Sequence, residues 1–192
     1  MYNNLVDENL IKKEYFDLSR NPISSLGFSV GLESQNNYRK WKFILLGPSD
    51  TSYKKGLFNL SIFFPNGYPN VAPEVCFITP IYHLNVNDKS PLFNGAPPLG
   101  AINIIGLGFW QPGYTIRELI CSIYSLFYYV DINHPFDPLK VEEYRNDRPC
   151  YETKITHFTK KFASFNSRSN FLDSNNNWNF DIQVLLKILN LI

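Results

Sequence analysis

Cysteine is scarce in this chain of 192 residues: Cys76, Cys121 and Cys150 are odd in number and far apart. That spacing argues against a disulfide framework, matches no zinc-ligand pattern, and fits a reducing compartment. A basic run is also missing, and 18 basic residues face 17 acidic ones for a formal charge of +1. The balance gives no support to a nucleic-acid binder or a polybasic membrane binder. The longest cluster, Lys160-Lys161, reads as a solvated helix face. No stretch approaches the ~20 apolar residues that cross a bilayer. Asp7, Glu8, Glu14 and Asp17 near the start lack the acid-poor character of a transit peptide, and no apolar signal region follows. These absences point to an intracellular protein, in the cytoplasm first and in an organelle-associated assembly second. We expect no metal, no cofactor and no transmembrane segment.

What is present is a readable order of elements. Leu10, Ile11, Tyr15 and Leu18 recur near a 3.6-residue period, which predicts a helix over 5–20 that Asn21-Pro22 ends. Apolar residues then alternate in four runs: Phe28, Val30 and Leu32; Trp41, Phe43 and Leu45; Phe58, Leu60 and Ile62; Val75 and Phe77. Polar and Pro/Gly-rich breaks separate them, as in an antiparallel meander with one face packed on helices. After an irregular stretch from Tyr82 to Gly108, the stripe Ile116, Leu119, Ile120, Ile123 and Phe127 predicts the central core helix. Thr115 is placed to cap it, with Glu118 at capping-box spacing. A short helix is expected near 140–145 and a longer one near 147–163, the latter capped by Asp147 with Pro149 in its first turn. Cys76 and Cys121, in apolar contexts, are expected in the core.

The chain divides into a core domain at 1–164, with an insertion near 89–98, a polar Asn/Ser-rich linker at 165–179, and an apolar segment at 180–192 expected to be helical. That last segment is apolar almost all round, so something must cover it, and docking on another protein is favoured over the domain itself or a membrane surface. Trp178, Phe180, Val184, Leu185 and Ile188 are the candidate partner contacts. Trp41 and Trp110 fit core or turn packing.

Several local motifs occur in a telling order. Gly47-Pro48 is followed by Thr51, Tyr53, Gly56 and Phe58; Phe64-Pro65, Tyr68-Pro69 and Pro73-Glu74-Val75 come next. Then follow Tyr82-His83-Leu84-Asn85, Trp110-Gln111-Pro112-Gly113-Tyr114-Thr115, Asp137-Pro138-Leu139, and a final helix ending in Thr159-Lys160-Lys161-Phe162-Ala163. Over roughly residues 5–164 this resembles the ubiquitin-conjugating enzyme family. The resemblance implies an α+β fold: an N-terminal helix, a four-stranded antiparallel meander, then C-terminal helices.

It also implies a chemistry in which a cysteine takes ubiquitin as a thioester and passes it to a lysine amine. Transferred by position, Asn85 has the oxyanion-supporting role, Asp137 the lysine-orienting role, and His83 a structural one. The alternative for all three is loop stabilisation, since Asn and Asp readily bond nearby backbone. The nucleophile's slot holds Asn103, or Ile102 if aligned from Trp110 without a gap. Neither side chain can form a thioester. Leu84 replaces the signature proline, and Asn70 stands where ligase-binding members carry an aromatic. The expectation is therefore a pocket of His83, Asn85, Ile102, Asn103 and Asp137 with no catalytic residue. The leading function is a structural or adaptor subunit bound to other protein subunits. A second is a regulator that holds ubiquitin or an active conjugating enzyme. A third is an active enzyme using Cys150, whose helix N-terminal position can lower a thiol pKa.

Overall fold

The computed structural model describes residues 2–23, 26–89 and 96–164, with side-chain detail from Glu8 onward. Residues 165–192, and with them Trp178, Phe180, Val184, Leu185 and Ile188, lie outside the described residues. Helix α1 (Tyr2–Arg20) leads into four strands, β1 (Phe28–Leu32), β2 (Lys40–Leu46), β3 (Leu57–Phe63) and β4 (Glu74–Phe77). They form one antiparallel sheet in the order β1-β2-β3-β4. Among the described residues three helices follow, α2 (Ile116–Ser125), α3 (Pro138–Asn146) and α4 (Arg148–Phe158), and Thr159–Ala163 extends α4 as a wider π-helical turn.

Alternation decides which side of the sheet is buried. Phe28, Trp41, Phe43, Leu45, Phe58, Leu60, Ile62, Val75 and Phe77 share the core face with Ile116, Leu119, Ile120 and Ile123 of α2. Thr115 and Glu118 complete the predicted capping box. The start of α2 is also held from α1: Glu14 accepts from the Ile116 N–H and from the Tyr68 hydroxyl, both at 2.6 Å. Burial raises the Glu14 pKa despite those bonds. Trp41 and Trp110 are buried and donate their indole N–H groups to the Tyr38 and Pro69 carbonyls.

Two cysteines are not where composition put them. Cys121 is exposed, because it falls on the solvent side of α2, off the stripe that ends at Ile123. Cys76 is half-buried, because Val75 and Phe77 take the core face of β4 and turn it to the outer one.

Beyond β4 the sheet continues through two short pieces. Cys76 pairs with Ala101, and Val86 pairs with Ile102, so residues 100–102 lie between β4 and the segment leaving His83. Gly100 makes this possible. Its φ is +81°, and a β-carbon there would stand 1.9 Å from the Phe77 carbonyl oxygen, which no other residue tolerates.

Candidate functional site

The segment from Tyr82 to Val86 meets residues 101–102 through the Val86–Ile102 bridge, the loop after α2 through His83 and Asn85, and the start of α3 through the Phe136 N–H donated to Leu84. His83 is buried, and its ring has both nitrogens engaged: Nδ1 accepts from the Asn85 N–H at 3.0 Å and Nε2 donates to the Leu126 carbonyl at 2.9 Å. This is the neutral Nε2–H tautomer. Burial pushes its pKa down to about 4, so it stays uncharged at neutral pH.

Asn85 is fully buried, and its carboxamide is committed to the loop 131–134. Nδ2 donates to the Asp131 carbonyl at 2.6 Å and the His134 carbonyl at 2.9 Å, while Oδ1 accepts from the Asp131 N–H at 2.8 Å. Both amide protons are thereby used, leaving none to give to a developing oxyanion. Leu84 is tied as firmly. Its N–H donates to the Tyr151 hydroxyl at 3.1 Å, its carbonyl accepts from Phe136 at 2.8 Å, and its side chain is buried. An N–H at this position is available because leucine, not proline, occupies it.

Ile102 is buried and donates its N–H to the Val75 carbonyl at 3.0 Å. Asn103 is exposed. Its Oδ1 accepts from the Gly106 N–H at 2.9 Å and its carbonyl from the Leu107 N–H at 3.0 Å, so the side chain caps the turn that follows. Asp137 caps α3 by accepting from the Leu139 N–H at 3.0 Å, and its other oxygen lies 3.4 Å from the Lys89 ammonium.

Next to it is a second ion pair that sequence reasoning missed. Lys140 Nζ is 2.7 Å from Asp88 Oδ2 and 4.6 Å from the centre of the Tyr82 ring, and its side chain is 5% exposed. Asp88, just before the insertion, and Lys89, at its start, are thus tied to α3 and its cap. Asn87 closes the insertion's other end by donating from Nδ2 to the carbonyls of Pro97 at 2.9 Å and Pro98 at 3.0 Å.

The thiols differ in position and acidity. Cys150 opens α4, yet its thiol donates to Glu143 at 3.2 Å, and that bond to a carboxylate raises its pKa above the ordinary thiol value. The lowering expected from the helix terminus is overridden by the neighbouring anion. Glu143 also binds Lys154 and the Tyr82 hydroxyl. Cys76, not Cys150, is the thiol that the fold sets beside residues 101–103, although it lies within the sheet on the outer face. Burial, reinforced by Glu74, raises its pKa too. Nothing in the spacing of Cys76 from Asn103 announced this, because the pairing runs through a bridge of two residues.

Among the described residues no group of His, Cys, Asp and Glu could hold a metal ion, and no helix is long and apolar enough to cross a membrane.

The sequence model of the ubiquitin-conjugating enzyme family matches residues 10–159. The chain belongs to that family. It is 33% identical over 137 residues to the probable ubiquitin-conjugating enzyme E2 31 of Arabidopsis thaliana, covering 71% of this chain and 82% of the relative. A crystal structure of a ubiquitin-conjugating enzyme candidate from Plasmodium yoelii superposes with a TM-score of 0.68 at 26% identity, over 82% of this chain and 96% of the other. The architecture of this chain is that of the conjugating-enzyme family: an N-terminal helix, a four-stranded antiparallel sheet, then C-terminal helices.

Proposed function

We propose that this member of the conjugating-enzyme family carries no acyl group and serves as a structural or adaptor subunit of a larger protein assembly. The observation that carries the reading is the use to which both candidate nucleophile positions are put. Ile102 is core packing and Asn103 is a turn cap, and neither side chain has a nucleophilic atom. The commitment of both Asn85 amide protons to backbone carbonyls supports the same reading, as does the ammonium of Lys89 beside Asp137. The second reading, a regulator that holds ubiquitin without bonding to it, is less favoured because α3 and α4 are both retained, as in conjugating enzymes.

The test is incubation of the full chain with activating enzyme, ATP and ubiquitin, followed by non-reducing electrophoresis. No thiol-sensitive adduct is expected. An adduct that disappears in Cys76→Ser or Cys150→Ser would overturn the proposal and name the nucleophile. Purification of the native protein should yield stoichiometric subunits; recovery of an active conjugating enzyme alone would favour the regulator.

A further inference from the structure

A cleft of about 320 Å³ opens between the β2–β3 connection, the end of α2 and the helices α3 and α4. None of His83, Asn85, Ile102, Asn103 or Asp137 lines it. Its floor is apolar, built from the buried side chains of Tyr53, Leu126, Phe127, Tyr151 and Ile155. Its mouth is aromatic and charged. Asp50 and the part-exposed Tyr128 come from the β2–β3 connection and the end of α2, and Tyr144, Arg148 and Glu152 come from α3 and α4. A cavity of this size, apolar within and with a few polar groups at its opening, has the make-up of a small-ligand site.

The charges at the mouth choose the sign of the ligand. Two carboxylates, Asp50 and Glu152, face one guanidinium, that of Arg148, so the lining is net negative. Arg148 is already engaged: its Nε lies 2.7 Å from Glu152 Oε1, and its guanidinium carbon lies 4.0 Å from the centre of the Tyr144 ring. That contact shows what these walls attract, a delocalised and weakly hydrated cation on a tyrosine face beside a carboxylate. Asp50 and Tyr128 repeat the pairing of ring and carboxylate. Among the described residues the Asp50 carboxylate accepts from the Tyr128 hydroxyl at 3.3 Å and meets no cation. An anion, by contrast, would approach two carboxylates whose nearest cation is held by one of them.

We infer that this cleft binds a quaternary ammonium group, with the alkyl stem on the apolar floor and the charge between Asp50 and the Tyr128 ring. A quaternary head suits the cleft better than a primary one, because it needs ring faces and a carboxylate rather than a hydrogen-bond acceptor for each N–H. Choline-type small molecules and trimethylated lysine side chains carry this same head group. The inference goes beyond the adaptor reading and is independent of whether the chain transfers ubiquitin.

The test is a two-dimensional NMR titration of the full chain with four probes: choline, N-acetyl-trimethyl-lysine amide, the uncharged isostere of choline in which carbon replaces nitrogen, and pentanoate. Both cations should shift signals of residues 50–53, 126–130 and 144–155, and the uncharged isostere should bind far more weakly. Asp50→Asn should weaken binding roughly tenfold, and Tyr128→Leu roughly threefold. Both side chains are exposed, so these variants should melt with the parent. Arg148→Ala should tighten binding roughly fivefold, because the Tyr144 face and the Glu152 carboxylate are then released to the ligand. Preference for the trimethyl-lysine probe supports a modified protein as the source, and preference for choline supports a free small molecule. Equal binding of the uncharged isostere, no shift with either cation, or an Asp50→Asn protein that binds like the parent would each overturn the inference. Pentanoate binding that Arg148→Ala abolishes would overturn it too, and would reassign the cleft to an anion.

Discussion

Replacing Asn85 separates a structural side chain from a catalytic one. An oxyanion donor can be removed with little effect on stability, because its bond exists only during reaction. Here the carboxamide makes three hydrogen bonds to the 131–134 loop in the ground state, and the residue is fully buried. Each such bond contributes about 1 kcal/mol net, and buried carbonyls left without donors cost more. Asn85→Ala should therefore lose about 3 kcal/mol, which for a domain of this size is a melting-temperature drop of roughly 6–12 °C. Asn85→Asp should be worse near neutral pH, since its second oxygen would face the Asp131 and His134 carbonyls where an amide now donates. It should recover partly in acid, where the protonated carboxyl can donate one bond. Differential scanning calorimetry of the three proteins decides the matter. An Ala variant melting within about 2 °C of the parent, or an Asp variant more stable than Ala, would refute the reasoning.

Three further outcomes follow from the same geometry. His83 is held neutral with a pKa near 4, below its unfolded value of 6.5, so the unfolded chain gains the proton first as pH falls. Stability from this group is thus complete above about pH 6.5 and lost progressively toward pH 4, by roughly 3 kcal/mol; urea titrations across that range should show the slope, and His83→Gln should flatten it. Asp88→Asn strands the Lys140 ammonium, whose side chain is 5% exposed, and should cost about 3 kcal/mol; Asp88→Ala/Lys140→Met, which removes both charges, should lose less than the single change in the same melts. Cys150 should react slowly with iodoacetamide at neutral pH, and Glu143→Gln, by removing the carboxylate that raises its pKa, should speed labelling as followed by mass spectrometry.

The sheet and helices were legible in the sequence because their signals are local. Thr115 and Glu118 mark the start of α2 three residues apart, and Trp41, Phe43 and Leu45 at every second position mark the core side of β2, although Ile44 between them is buried as well. The order of motifs likewise located the turn at His83 and Asn85 and the cap at Asp137. Their chemistry was not legible, because it depends on groups far apart in the chain. Asn85 meets Asp131 across 46 positions, and Lys140 meets Asp88. Cysteine placement failed for a similar reason: an apolar neighbourhood in sequence does not say which side of a helix or strand a small residue takes. Cys121 lies among Leu119, Ile120 and Ile123 yet is turned to water, while Cys76 reaches residues 101–103 only through a two-residue bridge.

The clamp formed by Asn87 has a practical corollary. By binding the carbonyls of Pro97 and Pro98, and with its own carbonyl accepting from Gly100, it holds together the two described segments on either side of the insertion. Whatever is spliced between Lys89 and Pro97 inherits a ready-made anchorage, and doubling the excursion adds only about 0.6 kcal/mol of closure entropy. An epitope or fluorophore tag grafted there would ride on the domain without disturbing its register.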